Sequence, residues 1–352
     1  MRPELKVSNP RVVIVMLSAV GDAVHVLPLA NALKRAVPGM KLTWVIQPVP
    51  HKLVHNHSAI DEFIIFRRRR GLTALGEFLR ARRELCRHHF DLVIDLQVYF
   101  KAGILTWFTP APIKVGFDRA RARDLNWLFT TQRIPPHPVQ HVQDQYFEFL
   151  HFLGVNPEPV FWGLKFTEEE RQAQREFFAH IEQPVCSVVV GSSKPKKDWP
   201  PDRYARLLEI IERDFGFQTV LIGGPAPRER ATAAEVSRLT RARPLNELGD
   251  NLRRLMYLVD GSDVLVSPDT GPLHIARALE TPVVGLYGYT NPKRSGPYRK
   301  YTDLVVDGYA RYPGEDYQAS MEYCSDGMAR ITVEMVREKF ELAVGKYVRG
   351  RS

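Results

Sequence analysis

The segment Ser267-Pro268-Asp269-Thr270-Gly271-Pro272-Leu273-His274 follows a short apolar run and carries residue types that can hold a diphosphate. The first turn of a helix offers unpaired N–H groups and a partial positive charge, which suit a concentrated anion. Asp269 or Thr270 can cap such a helix through a side-chain oxygen. Gly271 lets a phosphate approach the backbone, and Pro272 suits the first turn, where its missing N–H is not needed. His274 lies near the end of that turn, within reach of the same ligand. A plain capped helix without a ligand would use the same residues.

Three further loops carry chemistry. Gly191-Ser192-Ser193-Lys194-Pro195-Lys196-Lys197-Asp198-Trp199-Pro200 leaves the apolar run 185–190 with two hydroxyls and three lysines. Hydroxyls donate to phosphate oxygens and a lysine supplies a point charge, although a solvated basic loop would look alike. Gly223-Gly224-Pro225 ends the next run, either as an ordinary turn or as a place where a nucleoside meets the backbone. Ser18-Ala19-Val20-Gly21-Asp22-Ala23-Val24-His25 lacks the Gly-x-Gly-x-x-Gly of a dinucleotide site, which disfavours a nicotinamide cofactor. A helix start tends to keep the Asp22 carboxylate ionised, so it can accept a proton as a general base or serve only as a cap. His25 either orients Asp22 or packs.

The charge balance points to an anionic partner. Lys and Arg total 49 against 40 Asp and Glu, a formal +9. The arginines cluster in the first half, at Arg67 to Arg70, Arg80 to Arg87, and Arg119, Arg121 and Arg123. They can grip a multiply anionic acceptor through bidentate contacts or form a solvated basic face. A nucleic-acid binder is disfavoured, because no recognition motif interleaves with them. Cys86, Cys186 and Cys324 are far apart, with no metal-ligand spacing and no disulfide framework, which fits a reducing cytoplasm. The polar residues 1–11 predict no signal peptide, and no apolar run has membrane-spanning length.

These loops need elements to position them. Strands are expected at 12–17, 42–46, 62–66 and 92–96, with helices at 22–37, 99–108 and 140–153 and a partly helical arginine-rich stretch at 67–89. A break rich in proline follows. The pattern then restarts with strands at 185–190, 219–222, 264–266 and 283–287. Its helices fall at 203–215, 228–239, 252–259, 272–279 and 332–347. At roughly 100–200 residues per domain, the length fits two. The reading is an α/β protein of two doubly wound, Rossmann-like domains facing a central cleft. Residues 1–155 are expected to form the first domain, 156–165 a linker and 166–352 the second, with the final helix expected to pack back toward the first.

The motifs together resemble glycosyltransferase family 9, the ADP-heptose:lipopolysaccharide heptosyltransferases of the GT-B fold, and most of all heptosyltransferase I. The resemblance rests on Ser18 to His25, Asp95-Leu96-Gln97, Gly116-Phe117-Asp118 with Arg123-Asp124, Lys197-Asp198-Trp199-Pro200, Gly223-Gly224-Pro225, Ser267 to His274, and Gly288-Tyr289-Thr290-Asn291-Pro292 with Gly296-Pro297-Tyr298. It implies an inverting transfer of L-glycero-D-manno-heptose from an ADP-sugar to a Kdo2-lipid A type acceptor, with no metal or other cofactor, by a cytoplasmic protein peripheral to the inner membrane. It assigns Asp22 as base beside Ser18, Gly21 and His25. It assigns Ser192, Ser193, Lys197, Asp269, Thr270, Gly271 and His274 to the donor, and Arg67, Arg70 and Arg123 to the acceptor. Glu229 is the nearest carboxylate after the Gly-Gly-Pro turn, where the family often has an acidic residue for the ribose. Residues 299–328 have no counterpart and are expected to form a loop near the cleft. A transferase of the second heptose, a transferase of another sugar nucleotide and an inactive sugar-nucleotide sensor fit the same motifs.

Overall fold

The apolar runs form two six-stranded parallel sheets, each inside its own unit. The computed structural model describes residues 9–348; the polar start of the chain and residues 349–352 lie outside the described residues. The first unit is residues 1–138 with 142–165, and the second is 139–141 with 166–352.

The first unit runs β1 (Arg11–Val15), α1 (Val20–Ala36), β2 (Lys41–Ile46), α2 (Pro48–Val54), β3 (Glu62–Ile65), α3 (Leu72–Leu85), β4 (Leu92–Asp95), α4 (Phe100–Phe108), β5 (Ile113–Gly116), a 3-10 turn at Asn126–Phe129, β6 (Gln132–Arg133) and α5 (Val142–Phe152). The second runs α6 (Glu168–Phe178), β7 (Val185–Val189), α7 (Pro201–Phe215), β8 (Gln218–Ile222), α8 (Pro227–Leu239), β9 (Leu245–Asn246), α9 (Leu252–Gly261), β10 (Val264–Pro268), α10 (Gly271–Leu279), β11 (Val283–Tyr287), α11 (Pro292–Ser295), β12 (Val305–Asp307), α12 (Gly327–Arg330) and α13 (Val333–Ala343).

Strand order is β3-β2-β1-β4-β5-β6 in one sheet and β12-β11-β10-β7-β8-β9 in the other. Each sheet grows from its first strand to one side, then returns and grows to the other. The switch points therefore lie between β1 and β4 and between β7 and β10. Their central strands are buried on both faces, which is why they read as largely apolar runs rich in Val, Ile and Leu. Ligands of such sheets sit outside the carboxyl ends of the strands at these switch points.

Two segments are held as follows. Residues 156–165 belong to the first unit. Arg35 donates to the carbonyls of Asn156, Pro157, Glu158 and Pro159, and Asn31 donates to those of Phe161 and Trp162. This proline-rich stretch has few backbone partners of its own, and α1 side chains supply them. The final helix buries its apolar side in its own unit against α7 and β11. Phe340 meets Phe215 and Phe217 edge-on there, and Trp199 and Arg203 hold the Ile331 carbonyl just before it.

Candidate active site

In the second unit, the loops after β7 and β10 stand at the switch point and are joined by one ion pair. Lys197 Nζ lies 2.6 Å from Asp269 Oδ2 and also donates to the Asp269 carbonyl at 2.9 Å. Thr290 Oγ1 donates to the same carboxylate oxygen at 2.6 Å, and Ser295 Oγ lies 3.4 Å from it. His274 Nε2 is 3.5 Å from Oδ1. Burial works to raise the Asp269 carboxyl, but the charge of Lys197 and the contact with His274 outweigh it and hold the group well below the usual carboxylate range. Asp269 is thus a carboxylate hub that ties together the ends of β7, β10 and β11.

The α10 helix begins immediately beside this hub. Thr270 is its N-cap residue, yet no side chain caps the helix; the Thr270 hydroxyl lies 3.3 Å from Ser267 Oγ instead. The cap expected from Asp269 or Thr270 is not made, because the Asp269 carboxylate is held by Lys197 and Thr290. Gly271 opens the helix, and Pro272 has no N–H to satisfy. The result is a helix N-terminus suited to an anion, with Lys197 next to it.

The remaining donor candidates divide. Ser192 is buried and its hydroxyl serves the loop itself, bonded to the Lys194 carbonyl at 2.6 Å and to Asp198 Oδ1 at 2.8 Å. Ser193 is exposed. Glu229 stands in the first turn of α8 and accepts from the Gly224 N–H at 2.6 Å. Its carboxylate packs against the Gly223-Gly224 turn so closely that a Cβ on Gly223 would lie 2.9 Å from Oε2. Arg228, which the sequence does not single out, pairs with Asp198 and donates to the Ser192 carbonyl, locking the β7 loop to α8. Thr290 and Asp198 are visible in the sequence only as members of motifs, with no role attached.

Within residues 299–328, β12 completes one edge of the sheet, and the segment after it meets the loop that follows β11. Tyr323 stacks on Tyr289 with ring centroids 4.7 Å apart, and Lys194 and Lys196 lie over these two rings. Asn291 donates to the Gln318 carbonyl at 2.8 Å.

In the first unit, Asp22 occupies the third position of α1. Its Oδ2 accepts from the Ala19 N–H at 2.8 Å, so the capping role is made, while Oδ1 lies 3.5 Å from the Tyr146 hydroxyl. His25 is buried and pairs with Gln143 through Nδ1 at 2.9 Å, and Gln143 returns a bond to the His25 carbonyl at 3.0 Å. Gln97 holds the loop before α1, donating to the Ser18 carbonyl at 2.8 Å and accepting from Leu17 N–H at 3.2 Å. Gly21 is half-buried between these anchors.

Arg67 and Arg70 follow β3, and the Arg67 N–H donates to Glu77 Oε1 at 2.7 Å. Arg123 follows β5, and its N–H donates to the Val98 carbonyl at 2.8 Å. All three are exposed. The strands are parallel, so these arginines rise from the same edge of the sheet as Asp22, which follows the central strand β1. Among the described residues, no group of three or more His, Cys, Asp or Glu could hold a metal ion.

Two doubly wound units, each with a six-stranded parallel sheet, make this a protein of the GT-B fold. The chain belongs to glycosyltransferase family 9 (heptosyltransferase), whose sequence pattern matches residues 78–324. It is 30% identical over 293 residues to the lipopolysaccharide core heptosyltransferase OpsX of Haemophilus influenzae, covering 83% of each chain. The structure of the family 9 glycosyl transferase from Veillonella parvula superposes with a TM-score of 0.82 at 24% identity, covering 98% of this chain and 99% of that one. The E. coli heptosyltransferase WaaC, solved with ADP-2-deoxy-2-fluoro heptose, gives a TM-score of 0.72 at 24% identity, over 94% and 99% of the two chains.

Proposed function

We propose that this chain is an inverting transferase that moves a heptose from an ADP-activated donor to the first heptose position of the lipopolysaccharide inner core. The observation that carries this reading is the uncapped α10 N-terminus beside the Lys197–Asp269 pair at the switch point of the second sheet. The name of the Haemophilus influenzae relative, a lipopolysaccharide core heptosyltransferase, supports the choice of sugar and acceptor class.

The donor diphosphate rests on the N–H groups of Thr270 and Gly271, with Lys197 as its cation and without a protein-bound metal. Ser193 and His274 flank it, and Glu229 shapes the turn on which the nucleoside lies. Asp22 Oδ1 takes the proton of the acceptor hydroxyl, while Oδ2 stays fixed on Ala19 N–H, so the carboxylate is held in one orientation. The hydroxyl oxygen forms a bond to the anomeric carbon as the bond to ADP breaks. The charge that develops on the leaving diphosphate is met by preorganised donors, each worth roughly 3–4 kcal/mol in sites of this type. Arg67, Arg70 and Arg123 receive the anionic Kdo2-lipid A type acceptor. No described helix is long and apolar enough to cross a membrane, and we place the protein at the cytoplasmic face of the inner membrane as a peripheral enzyme.

The test is release of ADP from ADP-heptose, with and without Kdo2-lipid A. Turnover that depends on the acceptor is expected, and Asp22→Ala should abolish it while keeping the thermal shift given by ADP. Full turnover by Asp22→Ala would overturn the assignment of the base. Turnover with other sugar nucleotides but not with ADP-heptose would overturn the donor.

A further inference from the structure

The first unit carries an apolar surface that its own core does not explain. The inner sides of α3 and α4 bury Ala81, Leu85, Ala102 and Leu105 against one face of the sheet. Their outer sides are also apolar. Phe100, Ile104 and Trp107 fall on one stripe of α4, and Trp107 is 62% exposed. Leu75 and Leu79 stand outward on α3, and Leu128 stands outward on the adjoining 3-10 turn at 56% exposed. The patch is built rather than loose. Phe129 meets Phe100 edge-on at 5.4 Å, and it lies so close to α4 that a Cβ on Gly103 would be 2.3 Å from its ring.

Cations surround the patch. Arg119 and Arg133 lie over the Trp127 ring at 4.5 and 5.5 Å, and Arg82 lies 5.8 Å from the Phe108 centroid, linking α3 to α4. Between Arg67 and Arg133 the chain has fourteen Lys and Arg against six Asp and Glu, a formal +8 of the chain's +9. Exposed aromatic and aliphatic side chains within a basic rim fit the interface of an anionic bilayer, where rings sit at headgroup depth and each cation adds attraction. The patch also reaches the site. Leu125 is two residues from Arg123, and Asn126 Nδ2 donates to the Tyr99 carbonyl at the start of α4.

We propose that the outer faces of α3 and α4, with the Asn126–Phe129 turn, are the surface by which this chain rests on an anionic lipid bilayer. This deepens, and rests on, the reading of a lipid-linked acceptor, since it sets Arg123 at the headgroup layer.

The test uses the full chain, without donor or acceptor, sedimented with vesicles of phosphatidylcholine alone or mixed with phosphatidylglycerol. Binding to the mixed vesicles, weakened by salt, is expected. The triple variant Phe100→Ser, Trp107→Ser, Leu128→Ser should lower partitioning about ten-fold or more while keeping the ADP thermal shift. Arg119→Glu with Arg133→Glu, which leaves the apolar residues in place, should remove the preference for phosphatidylglycerol. Indifference of the wild-type chain to these vesicles, or wild-type binding by both variants, would overturn the proposal. So would a concentration-dependent dimer that the triple variant abolishes, since the patch would then be a protein interface. Vesicle binding without turnover counts against the transferase reading alone, and turnover without vesicle binding counts against the patch alone.

Discussion

Lys197 and Asp269 join the loops of β7 and β10 across the switch point of the second sheet, with Nζ 2.6 Å from the carboxylate and 2.9 Å from the carbonyl of the same residue. A lysine held at both groups is positioned before any ligand arrives. Its three donors leave one for an anion at the neighbouring helix N-terminus. Lys197→Met is therefore expected to weaken ADP binding by about 1.5–3 kcal/mol, the usual worth of a charged hydrogen bond. Titration calorimetry with ADP reads this directly, and unchanged affinity would remove Lys197 from the donor site. Asp269→Asn should cost about 3 kcal/mol of stability, the lower end for a broken buried pair, because Lys197 at 16% exposed can turn to water. Denaturant unfolding would show it.

Arg228 acts one step further back. It pairs with Asp198 and holds the Ser192 carbonyl, while Ser192 Oγ bonds to Asp198. Arg228→Ala frees the loop that carries Lys197. The expected result is a rise in donor KM of about ten-fold, from loss of one charged bond, with a smaller change in kcat. A kcat loss with unchanged KM would show that Arg228 touches the reacting groups instead.

These roles mark where the sequence is legible. Buried strands such as Val12–Val15 and Val264–Val266 announce themselves as apolar runs, and both switch-point loops follow from them. Helix α6 escapes such a reading because its apolar residues are few, only Ala173, Phe177 and Phe178. Only Gln174 on it is buried, through bonds to the Tyr257 carbonyl and Asp260, although its Thr167–Glu170 capping box is a usable signal. Strands β6, β9 and β12 carry too few residues for periodicity to speak, and the apolar run of β5 is broken by Lys114. Ser192 reads as a phosphate donor because a hydroxyl's type says nothing of its partner. Its internal bonds depend on Asp198, six residues on, and so on a fold that spacing alone does not reveal.

Three glycines fasten the segment that follows β12. A Cβ on Gly288 would lie 2.2 Å from the Met328 N atom, and one on Gly327 would lie 2.0 Å from the Gly288 carbonyl oxygen. One on Gly308 would lie 2.4 Å from the Gly327 carbonyl oxygen. These neighbours are backbone and cannot turn aside. Gly288→Ala should destabilise the second unit by about 3 kcal/mol, the upper range for overpacking, and expose residues 309–326 to protease. Limited proteolysis of native protein checks this, and a cleavage rate equal to wild type would show that the segment is held by other means.

Asp95 gives the first unit a pH dependence. It is fully buried at the carboxyl end of β4, where burial pushes its carboxyl up to about 7 against bonds from Asn126, Thr106 and the Gln97 N–H. In the unfolded chain it titrates near the ordinary value of about 3.9. Between these two values the folded state binds more protons, so stability from this group is complete below about pH 4 and declines as pH rises toward 7. Across that interval the loss amounts to at most about 4 kcal/mol. Asp95→Asn keeps an acceptor for Thr106 and Asn126 but cannot ionise. Its stability relative to wild type should therefore rise steadily from pH 4 to 7 and then level off. Urea unfolding of both proteins across that range reads the difference, and a difference independent of pH would mean that Asp95 is ionised in the folded protein throughout.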